Sequence, residues 1–269
     1  MKIVMTGATG HLGSLVVDEL LRRVPAERIA IVARRPEAAE GWRRRGVEIR
    51  YGDYDDPASL IEAFKGADRL LFISSPLRDE EARLRQHKAA VDAAAEAGVG
   101  FIAYTGIAYA ERGTLPMHEL HLATERLIRD SGLPYTILRN AYYMDIVEML
   151  GWREALAGGV LLSPPGDWVF NTAAREDLAA AAAAVLTEEG HEGSVYELTA
   201  SRPWNLKDLA RALSERSGRP VVHRTDPAMK SMAYALLPHS DMAAVSPDLE
   251  RLVGAPLRGV RDWLAGKGL

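Results

Sequence analysis

The chain of 269 residues contains no cysteine. Disulfides, thiolate metal sites and a cysteine nucleophile are therefore excluded, while the compartment stays open on this ground alone. Lysine is scarce at six residues, so the positive charge is almost entirely arginine. No apolar stretch approaches the ~18–20 uninterrupted residues of a membrane span. The N-terminus lacks a charged region followed by an apolar run and a cleavage site, and reads directly as a strand. Charge of one sign is not in excess: a net charge of −4, with 26% charged and 48% hydrophobic residues, is ordinary for a globular enzyme. These absences predict a cytoplasmic monomer or homodimer that acts on a small molecule, with neither nucleic acid nor membrane as partner. The length suits one generous core, or a core with a small appended lobe.

What is present begins at once. Ile3, Val4 and Met5 form a short apolar strand, followed by Thr6-Gly7-Ala8-Thr9-Gly10-His11-Leu12-Gly13 and then an amphipathic helix. Strand, glycine turn and helix in this order make a site for a dinucleotide pyrophosphate. The first glycine permits the tight turn, the second lets backbone approach the phosphates, and the third lets helix pack on strand. The helix N-terminus offers free N–H groups and a positive dipole end. Gly7, Ala8, Thr9, Gly10, His11, Leu12 and Gly13 are thus cofactor-binding candidates. The spacing Gly-x-x-Gly-x-x-Gly is one residue longer between the first two glycines than the commoner fingerprint.

Further strands are expected at Arg28–Ala33, Val47–Arg50, Arg69–Ile73, Gly100–Thr105 and Tyr135–Leu138, alternating with helical patterns. One helix is expected from about Glu80 to Ala97, stopped by Gly98, and another from about Met117 to Asp130, stopped before Gly132 and Pro134. The alternation predicts an α/β fold, a doubly wound parallel sheet of the NAD(P)-binding Rossmann kind, with a smaller C-terminal substrate lobe. The expected division is residues 1–140 for the Rossmann core and 141–269 for a lobe interleaved with the core's last strands. In that second part a helix near Asp145–Ala157 precedes a Gly/Pro-rich stretch. An alanine-rich helix opens at Arg175, a strand covers Ser194–Leu198, and Asn205 caps a helix ending near Gly218.

The end of the second strand selects the cofactor. An acid there would bind a ribose 2′-hydroxyl, whereas an arginine accommodates a 2′-phosphate. The sequence reads Ala33-Arg34-Arg35-Pro36, which favours NADP(H) over NAD(H) and nominates Arg34. Asp53, after the third strand, suits either a bond to the adenine amino group or a turn before Pro57. Ile73, Ser74 and Ser75 follow the fourth strand at the carboxyl edge where ligands bind.

One catalytic element is missing. Carbonyl reductases with this glycine turn commonly protonate the substrate oxygen with a Tyr activated by a Lys four residues later. No Tyr-x-x-x-Lys occurs anywhere in the chain, and Gly106 follows the fifth strand where a serine often falls. The fifth helix instead carries His118, His121 and Glu125 at i, i+3 and i+7, one face of a helix. That face is either a proton-donating group or a polar, partly solvated surface. A simple carbonyl is poorly served without the Tyr/Lys pair. A quinone is not, because its reduction gives a resonance-stabilised anion that solvent can protonate. Binding and orientation then carry most of the work, with Tyr142 or His121 as candidate catalytic groups stabilising developing oxygen charge.

The assembled residues resemble the NmrA-like atypical short-chain reductases, and within them the bacterial NAD(P)H:quinone oxidoreductases of the second type. The resemblance rests on Thr6–Gly13, Ile31-Val32-Ala33-Arg34, Ile73-Ser74-Ser75 and Phe101-Ile102-Ala103-Tyr104-Thr105. It continues through His121 with Thr124-Glu125, Leu138-Arg139-Asn140-Ala141-Tyr142-Tyr143, Gly190-His191-Glu192-Gly193 and Val195-Tyr196-Glu197-Leu198. It implies that Asn140, Ala141, Tyr142, Tyr143 and Arg175 join the glycine turn, Arg34 and Ile73–Ser75 around NADP(H). It also implies that the Asn140–Tyr143 loop forms one wall of a slot for a quinone-like substrate. Gly106 in place of serine and a short segment from Asp226 to Pro247 depart from that pattern. The resemblance leaves an NADPH-dependent quinone reductase or an NADP(H)-binding redox sensor without turnover, with reduction of a carbonyl or dye as a third possibility.

Overall fold

Apolar strands of three to six residues, buried on both faces, form the centre of the computed structural model, which describes residues 1–268. The sheet strands are β1 (Ile3–Met5), β2 (Ile29–Ala33), β3 (Glu48–Tyr51), β4 (Arg69–Ile73), β5 (Ile102–Ile107), β6 (Tyr135–Asn140) and β7 (Ser194–Leu198). All pair in parallel, in the order β3-β2-β1-β4-β5-β6-β7. The order reverses between β1 and β4, which places a crevice at their carboxyl ends, the usual ligand position in open α/β sheets.

Residue alternation assigns the two faces. Ile3, Met5, Ile29 and Ile31 enter one core, against α1 (His11–Arg23) and the alanine-rich helix Arg175–Thr187. Val4, Ala30, Val32, Leu70 and Phe72 enter the other, against α2 (Pro57–Phe64), α3 (Glu80–Glu96) and α4 (Pro116–Asp130). The expected stops are seen: Gly98 and Gly132, just past α3 and α4, have φ of +68° and +74°.

A third core lies in the C-terminal lobe, built on Trp152, Phe170, Trp204, Leu209 and Leu213. Phe170 and Trp204 stack with centroids 4.5 Å apart. Asn205 caps the helix Leu206–Ser217, accepting from the Lys207 and Asp208 amides at 2.9 and 3.2 Å. Two features differ from the sequence reading. The helix expected near Asp145–Ala157 is two pieces, a 3₁₀ segment Met144–Met149 and α5 (Trp152–Gly158), separated by Gly151 at φ +73°. Strand β5 continues through Gly106 to Ile107, because these residues pair with Arg139 and Asn140 of β6. No helix among the described residues is long and apolar enough to cross a membrane.

Candidate active site

The glycine turn owes its shape to steric necessity at two positions. Gly7 has φ +65°, and a Cβ there would stand 2.9 Å from the Ile73 Cβ. A Cβ on Gly13 would lie 2.2 Å from the Gly7 carbonyl oxygen, so only glycine lets α1 close onto the turn. Gly10 is different: its φ is −84°, and a Cβ would crowd only the Gly7 carbonyl oxygen, at 3.3 Å. Its missing side chain leaves space above the backbone, where a phosphate would come. Gly10 is also the N-cap of α1 and supplies no side-chain cap, so the first helical N–H groups are free of a side-chain acceptor.

This turn floors a cavity of about 490 Å³ that runs across the switch point. Gly7, Thr9, Gly10, His11, Leu12 and Gly13 line it at the turn. Arg34 and Asp53 line it toward β2 and β3, and Ile73, Ser74, Ser75, Tyr143 and Arg175 toward the opposite end. Arg34 is exposed and makes no hydrogen bond or ion pair among the described residues, a free cation at the cavity edge. The Asp53 carboxylate accepts from the Asp55 amide at 3.1 Å, while Asp56, not Asp53, caps α2. Arg175 stacks over the Tyr143 ring at 4.2 Å and pairs with Asp145.

Five nominated residues do not line the cavity. Ala8, Asn140 and Ala141 are buried beneath it. Tyr142 and Tyr143 are adjacent in a two-residue strand paired with Thr172–Ala173, so their side chains take opposite directions. Tyr143 faces the cavity, and Tyr142 packs on the lobe core. The Tyr142 hydroxyl is 2.8 Å from Ser240 Oγ, which is 3.2 Å from His118 Nε2. Burial raises the Tyr142 phenol above its ordinary value.

The face of α4 is not a solvated surface. His118, His121, Thr124 and Glu125 are all buried, at 4% exposure or less. His121 Nδ1 meets the Tyr104 hydroxyl at 2.7 Å, and its Nε2 faces Arg83 Nη2 at 3.4 Å. Burial, and then the Arg83 charge, bring His121 down to about 3, so the ring is neutral. Glu125 receives Arg139 through two bonds of 2.8 and 3.0 Å and Arg129 at 3.0 Å. Arg139 also holds Glu197 and Glu111 at 2.7 and 2.9 Å.

The sequence reading overlooked several residues here. Tyr54 donates its hydroxyl to the Ile73 carbonyl at 2.8 Å and lines the cavity. Gln86 holds Ser75 Oγ and donates to Asp55 Oδ1 at 2.8 Å. His87 Nε2 accepts the Ser75 amide at 3.0 Å, and its Nδ1 stands 2.8 Å from Thr124 Oγ1. Because Thr124 donates to the Leu120 carbonyl, His87 is the Nδ1–H tautomer. The available signal was Arg83, Gln86 and His87 at i, i+3 and i+4, a polar face on a helix directly after Ser74-Ser75. Among the described residues no cluster of His, Asp and Glu could hold a metal ion.

A dinucleotide fits these observations: a glycine cradle that Cβ atoms would fill, uncapped helical N–H groups, and a free arginine at one end. Comparison with known proteins agrees. The NmrA-like family model matches residues 1–243. Quinone oxidoreductase 2 of Escherichia coli is 39% identical over 263 residues, covering 98% of this chain and 85% of that protein. Its crystal structure complexed with NADPH superposes with a TM-score of 0.87 at 35% identity, covering 98% of both chains. The Citrobacter sp. triphenylmethane reductase complexed with NADP(H) superposes with a TM-score of 0.89 at 40% identity, covering 98% of this chain and 99% of that one. The chain belongs to the NmrA-like family.

Proposed function

We propose that this protein is an NADPH-dependent oxidoreductase that reduces a quinone or a similar flat, conjugated acceptor without a Tyr-x-x-x-Lys pair. The observation that carries the reading is the cavity itself, with a free Arg34 at one end and Ser74, Tyr143 and Arg175 at the other. Its relatives include proteins named for quinone reduction and for NAD(P)H-dependent azo reduction. When bound, NADPH supplies a hydride from its nicotinamide ring.

Each residue then has a physical task. Amides from His11 to Gly13 hold the pyrophosphate, and Arg34 takes the 2′-phosphate. Asp53 accepts from the adenine amino group, and Ile73–Ser75 line the ribose path. Tyr143, flattened under Arg175, is the wall against which an aromatic acceptor lies, with ring stacking worth about 0.5–1.5 kcal/mol. Asn140 and Ala141 support that wall from beneath. Of the two candidate donors Tyr142 has the hydroxyl that continues through Ser240 to His118, so from outside the cavity lining it would act only through an acceptor that reaches past Tyr143. His121 is committed to Tyr104 and stays neutral, so its task is to hold β5 and α4 in register.

The test is to incubate the protein with NADPH and a panel of small quinones and follow the nicotinamide absorbance. Quinone-dependent loss of that band is expected. No oxidation above background across the panel refutes the reading and favours a dinucleotide-binding sensor.

A further inference from the structure

Arg83 is a nearly buried cation whose hydrogen bonds are incomplete. Its side chain is 13% exposed. Nη2 donates to Ser74 Oγ at 2.6 Å and also faces His121 Nε2 at 3.4 Å. Nη1 comes only within 3.5 Å of Glu80 Oε2, which itself accepts no hydrogen bond. Nε is buried and has no partner at all. Arg139, at 11% exposure, shows the contrast: three carboxylates take up its Nε, Nη1 and Nη2. A guanidinium removed from water with donors unspent is costly, and such a group calls for a functional or solvent partner.

Glu80 Oε2, 3.5 Å from Nη1, is the one carboxylate paired with Arg83 among the described residues, without a hydrogen bond between them, and the remaining neighbours add no negative charge. His87 and His121 are neutral. Tyr104 is a phenol, and both Glu125 oxygens are taken by Arg139 and Arg129. Ser74, which lines the cavity, carries that charge to its surface. Because its oxygen already accepts from Arg83, its own proton must go elsewhere. Of the two protein groups near it, His87 Nε2 at 3.3 Å is already occupied by the Ser75 amide at 3.0 Å, and the Tyr104 hydroxyl is engaged with His121 Nδ1 at 2.7 Å. A polarised hydroxyl backed by a buried cation is therefore available to an oxygen arriving in the cavity, at the end opposite Arg34.

We propose that Arg83, acting through Ser74, stabilises negative charge that develops on an oxygen of the acceptor, so that the site suits neutral acceptors which become anions on reduction. The inference rests on the proposed function and deepens it. A quinone that accepts a hydride gains two electrons and one proton, gives up both C=O π bonds as its ring becomes aromatic, and ends as a hydroquinone monoanion with one O–H and one O⁻; a solvent proton completes the hydroquinone, and NADP⁺ is the oxidised product. A triarylmethyl cation that accepts the same hydride forms one C–H bond and ends neutral, with no oxygen charge to stabilise.

The two acceptors provide the test. Arg83→Met should lower kcat with 1,4-naphthoquinone about tenfold, less than the roughly 10²-fold loss for removing an oxyanion donor because Ser74 keeps its hydroxyl, while kcat with crystal violet changes by less than about threefold. Arg83→Lys, which keeps a charge, should recover part of the quinone rate. The NADPH dissociation constant of Arg83→Met, from fluorescence titration, should stay within about threefold of wild type. A readout without turnover uses 4-nitrophenol and NADP⁺: the wild type should bind the dye as phenolate and Arg83→Met as phenol, seen in its absorbance. An equal loss with both acceptors, a loss of NADPH binding, or the same nitrophenol ionisation in both proteins overturns the inference. A wild type that reduces neither acceptor refutes the proposed function, and this inference with it.

Discussion

Replacing Arg34 by alanine should separate the two nicotinamide cofactors. Arg34 is exposed, lines the cavity and has no competing carboxylate. A 2′-phosphate would therefore meet an uncommitted guanidinium. In a water-like medium two unit charges 4 Å apart interact by about 1 kcal/mol. A phosphomonoester carries about −1.5 to −2 at neutral pH, which gives roughly 1.5–2 kcal/mol. Counting the same contact as a hydrogen bond to a charged group gives about 1.5–3 kcal/mol. The two estimates meet near 2 kcal/mol, or about 30-fold in affinity. Arg34→Ala should thus raise the NADPH dissociation constant about 30-fold and leave that for NADH within about threefold, since NADH has no 2′-phosphate. Fluorescence titration of both cofactors measures this directly. Going from 0.1 M to 1 M salt, which shortens the screening length from about 10 Å to 3 Å, should erode the discrimination of the wild type but not of the variant. Arg35→Ala, at a side chain outside the cavity lining, serves as the control. Equal weakening of NADPH and NADH by Arg34→Ala would refute the reasoning.

Two further perturbations probe the buried polar groups. Glu125 is fully buried against Arg139, so Glu125→Leu leaves a guanidinium without its main partner. The cost should be about 3 kcal/mol, the low end for such a break because Glu197 and Glu111 still hold Arg139; a urea midpoint shift worth under about 1 kcal/mol would contradict it. His87 and His121 are each lowered from 6.5 to about 3 by burial and then by Arg83. Unfolded histidines take up protons as pH falls through 6.5 and the folded rings do not until about 3. Their contribution is therefore complete above the first value and drains between the two, by up to about 1.4 kcal/mol per pH unit for each ring. The melting temperature should fall from pH 7.5 to pH 5, more gently in His87→Gln, and a flat profile in the wild type would count against neutral buried rings.

The sheet was legible because its signals are local. Ile3–Met5 and the Leu70–Ile73 part of Arg69–Ile73 are continuous apolar runs, Ser194–Leu198 carries Val195, Tyr196 and Leu198 between turn residues, and each strand has those limits. The glycine turn was legible for the same reason. The burial of α4's polar face was not. Its partners Tyr104, Arg83 and Arg139 lie 17, 38 and 14 residues from the α4 side chains they touch, on elements that only the fold brings together. The break at Gly151 was hidden by the apolar residues on both sides, which keep a helical rhythm through a left-handed residue. Ser240 could not have been linked to Tyr142 from spacing, because 98 residues separate them.

The helix Arg175–Thr187 packs beside α1 with Ala179, Ala181, Ala182 and Ala183 in the shared core with Leu12, Val16 and Leu20. Methyl groups are the smallest side chains that still exclude water, so they act as shims that set how far α1 stands from its neighbour. Thickening the shim by one isopropyl group would push α1 outward, together with the amides at its first turn. The grip on a phosphate is thus adjusted from the dry side of the helix, by volume alone, at positions no ligand would ever touch.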